Sequence, residues 1–345
     1  MMAKHSFIRR VALVALSAAA AINVTQPALG QTALKFSLDW KYEGTQAPFL
    51  VALDKGYFRV EDLDVTIDTG ASALESINRL AAGTYDMAFA DINLLIKFRD
   101  QNPQFRIKTV FMTYNKPAYA IVSRKSRGVT TPKDLEGKRL GAPTADSAFA
   151  NWPIFAQANN IDQSKVTILN IGFPVREPML IAGHVDAVTG LSFSSYINLK
   201  YSSVPRDDIV VLLMADFGVR LYGNGVMVNP KFAAEKPDAV KGFLRAYLKG
   251  LKDTVKDPAA AIDSVLKRNE VATKPLEVER LQMALRDNIL TPEVQANGFG
   301  AVDIARLDKA IEQIALAYPF KSARPKAQDI FDRSFLPAEI ERRAN

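Results

Sequence analysis

The chain of 345 residues has no cysteine and two histidines. No disulfide can form, no thiolate can act as nucleophile or metal ligand, and no cysteine is present to carry a lipid anchor. His5 lies at the extreme N-terminus, which leaves His184 alone in the body of the chain, too few for a His/Cys metal cluster. Neither G-x-x-x-x-G-K-[ST] nor G-x-G-x-x-G occurs. Gly190-Leu191-Ser192-Phe193-Ser194 comes near a nucleophile elbow but ends in serine, and His184 precedes it instead of following. No catalytic residue, metal or cofactor is therefore expected.

Long apolar runs and concentrated charge are also scarce. Outside the N-terminus no stretch approaches ~18 uninterrupted apolar residues, so a membrane-embedded chain is not expected. Lys and Arg number 44 against 37 Asp and Glu. The excess is scattered, apart from short clusters such as Arg124 to Arg127 and Arg342-Arg343. Nucleic-acid binders gather their charge in a stripe or on a helix face, so nucleic acid is not an expected partner.

Residues 1–30 read as a cleavable export signal. Lys4, Arg9 and Arg10 form a basic n-region, Val11 to Ile22 an apolar h-region, and Ala28 and Gly30 suit cleavage before Gln31. The three basic residues would leave with it, taking the net charge from +7 to +4. An exported chain without an anchor needs an outer membrane to retain it, so the expected location is the periplasm.

What is present is 48% hydrophobic residues in a length that suggests two lobes. The organising stretch is Phe36 to Phe58, FSLDWKYEGTQAPFLVALDKGYF. Leu34, Phe36 and Leu38 alternate with polar residues as in a half-buried strand. Asp39-Trp40 follows, and Pro48, Phe49, Leu50, Leu53 and Tyr57 take helical spacing around a stop at Gly56. Strand, polar-aromatic loop and helix is the unit that carries ligand groups at the carboxyl edge of an open α/β sheet.

The pattern repeats. Val60 to Asp68 reads as a strand, followed by Thr69-Gly70-Ala71-Ser72 with Ser72 as helix cap and Leu74, Ile77, Leu80 and Ala81 as apolar positions. Arg139 to Ala142 leads into Pro143 to Ser147, then a helix through Phe149, Trp152 and Phe155. Further strands are expected at 85–90, 107–114, 118–123, 166–171, 187–189, 209–214 and 226–228. From Pro237 the chain turns helical. The proline-bearing 115–118 and glycine-rich 216–225 suit crossings between lobes. Expected lobes are 31–117 with 224–345, and 118–223.

The run D-W...Q-A-P-F...K-G-Y-F, with LDVTIDTG (63–70), GTYDMAFAD (83–91), DLEGKRLGAP (134–143), Arg176-Glu177 and GHVDA (183–187), resembles the NMT1/THI5-like (SsuA/THI5) family of substrate-binding proteins of ABC importers. The resemblance implies a two-lobed periplasmic-binding-protein fold of type II. It also implies a small-molecule solute held between the lobes, a permease and an ATPase as partners in trans, and a monomer. The family's eukaryotic pyrimidine synthases carry a cysteine-rich motif and histidines absent here, so an enzyme is not expected.

Candidate ligand-binding residues stand at strand ends and crossings. In the first lobe they are Asp39, Trp40, Tyr42, Gln46, Ser72 and Asp91. Asn115 lies at the first crossing, and Asp146, Ser147, Trp152 and Glu177 in the second lobe. Asp216, Tyr222 and Asn224 lie at the second crossing. Five carboxylates with aromatics, and only Arg176 and Arg220 nearby as cations, favour an amino-bearing heterocycle of the thiamine-pyrimidine kind. Two helix N-termini favour an anion such as an alkyl sulfonate, taurine or nitrate, the alternative solute. A periplasmic sensor that presents its solute to a receptor would share the same binding chemistry.

Overall fold

A computed structural model describes residues 30–344. The export-signal reading therefore falls on residues 1–29, outside the described part, except for Gly30. The rest forms two five-stranded sheets built to one plan.

The first sheet holds β1 (Thr32–Ser37), β2 (Leu63–Asp68), β3 (Met87–Asp91), β4 (Lys108–Met112) and β10 (Asn224–Val228), in the order β2-β1-β3-β10-β4. The second holds β5 (Tyr119–Arg124), β6 (Arg139–Ala142), β7 (Thr167–Asn170), β8 (Ala187–Leu191) and β9 (Ile209–Leu213), in the order β7-β6-β8-β5-β9. In each sheet four strands share a direction and the fourth in the order, β10 or β5, runs against its neighbours. The fold is thus two-lobed α/β with mostly parallel sheets.

Local chemistry explains the elements. In β1, Leu34 and Phe36 are buried while Ala33 and Lys35 are exposed, and Phe36 packs on Phe49 and Phe243. Gly56 ends the first helical stretch at φ +71°, a conformation glycine adopts without strain. Asp91 ends β3 and accepts the N–H groups of Asn93 and Leu94 at 2.8 Å each, starting the helix Ile92–Gln101.

Some expectations shift. The second strand begins at Leu63, not Val60, which ends the short helix Tyr57–Val60 and is 71% exposed. Leu74 faces solvent, and Ala73 and Ser76 take the inner face of the helix Ala73–Ala81 with Ile77 and Leu80. The helix through Trp152 is two pieces, Ser147–Ala150 and Trp152–Ala158, broken at Asn151 ahead of Pro153.

The chain leaves the first sheet at Met112 and enters the second at Tyr119, then leaves at Leu213 and returns at Asn224. We propose 113–118 and 214–223 as the crossings between lobes. The C-terminal helices do not belong to one lobe alone. Pro237–Lys256 packs on the first lobe, whereas Ile304–Ala317 also meets Trp152–Ala158 and Lys274–Ala284 meets Ser192–Tyr201 of the second. No helix among the described residues is long and apolar enough to cross a membrane.

Candidate functional site

A cavity of about 630 Å³ opens where the two sheets turn their strand ends toward each other. Its wall comes from the loops after β1, β2, β6, β7 and β8, from the first crossing at Tyr114, and from the start of β10. This is the edge at which open α/β sheets hold ligands.

Asp39 anchors the first-lobe wall. Asn224 Nδ2 donates to one carboxylate oxygen at 2.6 Å, and Gln46 Nε2 to the other at 3.4 Å. Both partners are neutral amides, so burial goes uncompensated by a cation. Desolvation, with a smaller push from the Asp91 charge, raises the Asp39 carboxyl to about 7. Ser72 accepts the N–H of Glu75 at 3.2 Å, and Glu75 returns a bond by accepting the N–H of Ala71 at 2.6 Å.

The second-lobe wall is built around a buried ion pair. Arg176 donates from Nε to Glu177 at 2.8 Å, and its Nη2 lies 2.8 Å from the same oxygen. The guanidinium lies close against Gly190 of β8. A Cβ at Gly190 would stand 2.9 Å from Arg176 Nη1 and 2.5 Å from Ser195 Oγ, so glycine there makes the room. Asp146 caps the helix at Ser147 by accepting the N–H of Ala148 at 3.0 Å, and accepts from Thr189 at 2.7 Å. Desolvation raises its carboxyl, opposed chiefly by the charge of Arg176.

Trp40 and Phe173 meet across the cavity from opposite lobes, edge to face, with ring centroids 5.0 Å apart. The Trp40 indole N–H reaches Glu43 at 3.3 Å, and Lys41 lies over its ring at 5.4 Å. A planar ring entering here would meet an aromatic pair and a rim of carboxylates.

Of the fourteen candidates, Asp39, Trp40, Gln46, Ser72, Asp146, Ser147, Glu177 and Asn224 line the cavity. Six do not. Tyr42 donates its hydroxyl to the Ile67 carbonyl at 2.8 Å and braces the loop from outside. Asp91 is spent on its helix cap and on the Tyr119 hydroxyl, and burial raises it to about 6. Trp152 is 3% exposed and packs beside Phe155 in the core, at the start of the helical piece that follows the break at Asn151.

The remaining three lie in the proposed crossings. Asn115 donates to Glu293 at 2.9 Å and accepts from Thr291 at 2.8 Å. Tyr222 donates to Glu293 at 2.7 Å. Asp216 pairs with Lys116 at 2.6 Å, tying one crossing to the other. Arg306 gathers the group: Nη1 donates to Asn115 Oδ1 at 3.1 Å and Glu293 at 2.6 Å, and Nη2 to the carbonyls of Asn115 and Leu221 at 2.8 and 3.0 Å. Its guanidinium stacks 3.9 Å over the Tyr222 ring.

Lining residues absent from the sequence reading include Lys41, Glu43, Tyr114, Phe173, Phe193 and Asn198. Lys41 replaces Arg220 as the second cation beside Arg176, since Arg220 is exposed and directs its backbone N–H to Gln313. Phe173 had a signal, standing three residues before the Arg176-Glu177 pair.

A family model described as NMT1/THI5 like matches residues 44–261. The riboflavin-binding protein RibY of Chloroflexus aurantiacus is 28% identical over 319 residues, covering 90% of this chain and 88% of that one. The formylaminopyrimidine-binding protein of Halalkalibacterium halodurans is 27% identical over 283 residues, covering 79% and 82%. Among solved structures, the alkanesulfonate-binding protein SsuA of Xanthomonas axonopodis pv. citri, bound to MOPS, superposes with a TM-score of 0.67 at 14% identity, covering 87% of this chain and 99% of that one. That last likeness is one of fold.

Proposed function

This chain belongs to the NMT1/THI5-like family, and from that premise we propose that it is a periplasmic solute-binding component of an ABC importer. It encloses a small amino-bearing heterocycle, of the thiamine-pyrimidine kind, between its lobes and delivers it to a membrane permease. Binding involves no covalent step. Contacts from both lobes favour the closed arrangement, and docking on the permease follows.

The observation that carries this reading is the makeup of the cavity wall. Asp39, Glu43, Asp146 and Glu177 surround the Trp40–Phe173 pair, with Lys41 and Arg176 as cations. Arg176 is already engaged by Glu177, which leaves Lys41 as the other charged donor in a wall of four carboxylates. Ring N–H and amino groups supply what such a wall lacks, and aromatic faces take the ring. RibY and the formylaminopyrimidine-binding protein are named for ligands of this nitrogen-ring class.

A second reading, an alkyl sulfonate or nitrate-like anion, is favoured by the capped helix N-terminus at Ser72 and by Lys41 and Arg176. The two separate in one experiment. Trp fluorescence of the purified protein is titrated with 4-amino-5-hydroxymethyl-2-methylpyrimidine, riboflavin, taurine and nitrate. A saturable change with either heterocycle is expected. Silence with both, alongside a response to taurine or nitrate, reverses the assignment.

A further inference from the structure

The helix Lys274–Ala284 gives no residue to the cavity wall, yet it touches both walls from behind. On the first-lobe side, Glu277 accepts the backbone N–H of Gly44 at 2.6 Å. A Cβ on Gly44 would stand 2.3 Å from the Glu277 carbonyl oxygen, so loop and helix meet backbone to backbone. On the second-lobe side, Glu279 pairs with Lys200 on the helix Ser192–Tyr201.

Between these contacts lies Arg280, 3% exposed. Its Nε donates to Glu277 at 3.1 Å and its Nη2 to Asn198 Oδ1 at 3.2 Å. Nη1 stands 3.5 Å from the Glu43 carboxylate and has no hydrogen-bond partner. Glu43 and Asn198 both line the cavity, one from each lobe, and Glu43 also accepts the Trp40 indole N–H. A guanidinium is a rigid planar fork, so its two arms fix the distance and angle between whatever they hold. A buried fork whose Nη1 is unmatched also draws Glu43 toward itself, because an unpaired buried donor is costly.

We infer that Arg280 is a positioning residue that sets the spacing of the two cavity walls. It hydrogen-bonds Asn198 on one side and faces Glu43, with the Trp40 ring behind it, as an ion pair at 3.5 Å on the other. The register in which the cavity closes is then governed by a side chain outside the cavity wall. This inference rests on the cavity being the solute site. It adds to that reading that the C-terminal helices take part in selecting the solute. Lysine in this place keeps the charge and loses the fork, so it cannot hold both partners.

The absence of cysteine makes the test clean. Val60→Cys and Gln163→Cys place one spin label on an exposed site of each lobe, and their separation reports the spacing of the lobes. The distance is measured in the parent, in Arg280→Lys, and in the volume-conserving double variant Glu277→Gln/Arg280→Met. Each is measured alone and with riboflavin or 4-amino-5-hydroxymethyl-2-methylpyrimidine. The expected result is a shifted or broadened distance distribution in both variants, and about tenfold weaker binding of whichever probe the parent takes. Unchanged distances with unchanged affinity overturn the inference. A fall in melting temperature with unchanged distances overturns it too, by making Arg280 a structural residue. If the parent binds neither probe, the heterocycle reading fails, while the ligand-free distances still decide the role of Arg280.

Discussion

The crossing and the cavity are made from the same side-chain types, and they differ in whether those side chains are already satisfied. At the crossing, Arg306 finds acceptors on Asn115, Leu221 and Glu293 and a ring beneath it in Tyr222. In the cavity, Asp39 takes two neutral amides and no cation, and Glu177 is met by the residue beside it. Carboxylate, arginine and aromatic thus read as structure when their bonding capacity is filled from within. They read as a site when part of it faces open space.

Arg306→Ala tests the filled half and should have the largest effect. Removing the cation leaves Glu293 with only the neutral donors Asn115 and Tyr222 and strips the Asn115 and Leu221 carbonyls of their Arg306 partner, which costs about 3 kcal/mol. That corresponds to a fall of roughly 5–10 °C in melting temperature by calorimetry. A variant that melts like the parent would show that the crossing is held by something else.

Trp40→Ala tests the open half. Loss of stacking, roughly 0.5–1.5 kcal/mol beyond area burial, together with the buried area itself, should weaken solute binding by more than about tenfold. Stability should change little, because the ring is partly exposed toward the cavity. Unchanged affinity in a fluorescence or calorimetric titration would make Trp40 a structural residue.

pH sharpens the contrast further. The carboxyls of Asp39 and Asp91, at about 7 and about 6 when folded, stay protonated where the unfolded chain has already released its protons. Their contribution is therefore present at low pH and is lost as pH rises from about 4 toward 7. Glu293 works in the opposite sense. Burial alone would raise it, but bonds from Tyr222, Arg306 and Asn115 hold it low, so its contribution is lost only in acid. Thermal melts from pH 4 to 8 should show a decline that flattens at its upper end in Asp39→Asn. Binding of an amino-bearing ring near pH 7 should release protons from Asp39, which calorimetry in two buffers detects; proton uptake would favour an anion.

The smallest effect belongs to Asp216→Asn. Its partner Lys116 is close, but Asp216 is 58% exposed, and exposed pairs contribute under about 1 kcal/mol. A shift larger than Arg306→Ala would invert the ranking.

How far each region could be read in advance follows from the same contrast. Period-two alternation in β1 and β2 and the cap at Ser72 are local signals, and they were legible, whereas Asp91, expected at the ligand, is a helix cap. The lining residues at loop ends, such as Asp39 and Asp146, were legible as types. Their surroundings were not, because Asn224 lies 185 residues from Asp39 and Arg306 lies 191 from Asn115. Trp152 misled for the opposite reason. It follows a promising loop, but its helix starts afresh after Asn151 and its ring lies in the core.

The place of β10 in the first sheet has a consequence for how the molecule is assembled. Strands β5 to β9 are continuous in the chain, so the second sheet has all its members by Leu213. The first sheet waits. Until Asn224–Val228 has been synthesised, β4 has no neighbour and β3 keeps one edge bare, because β10 lies between them. In a chain growing from its N-terminus, the half begun first is the half finished last, with a strand-wide slot held open across more than a hundred residues of elongation.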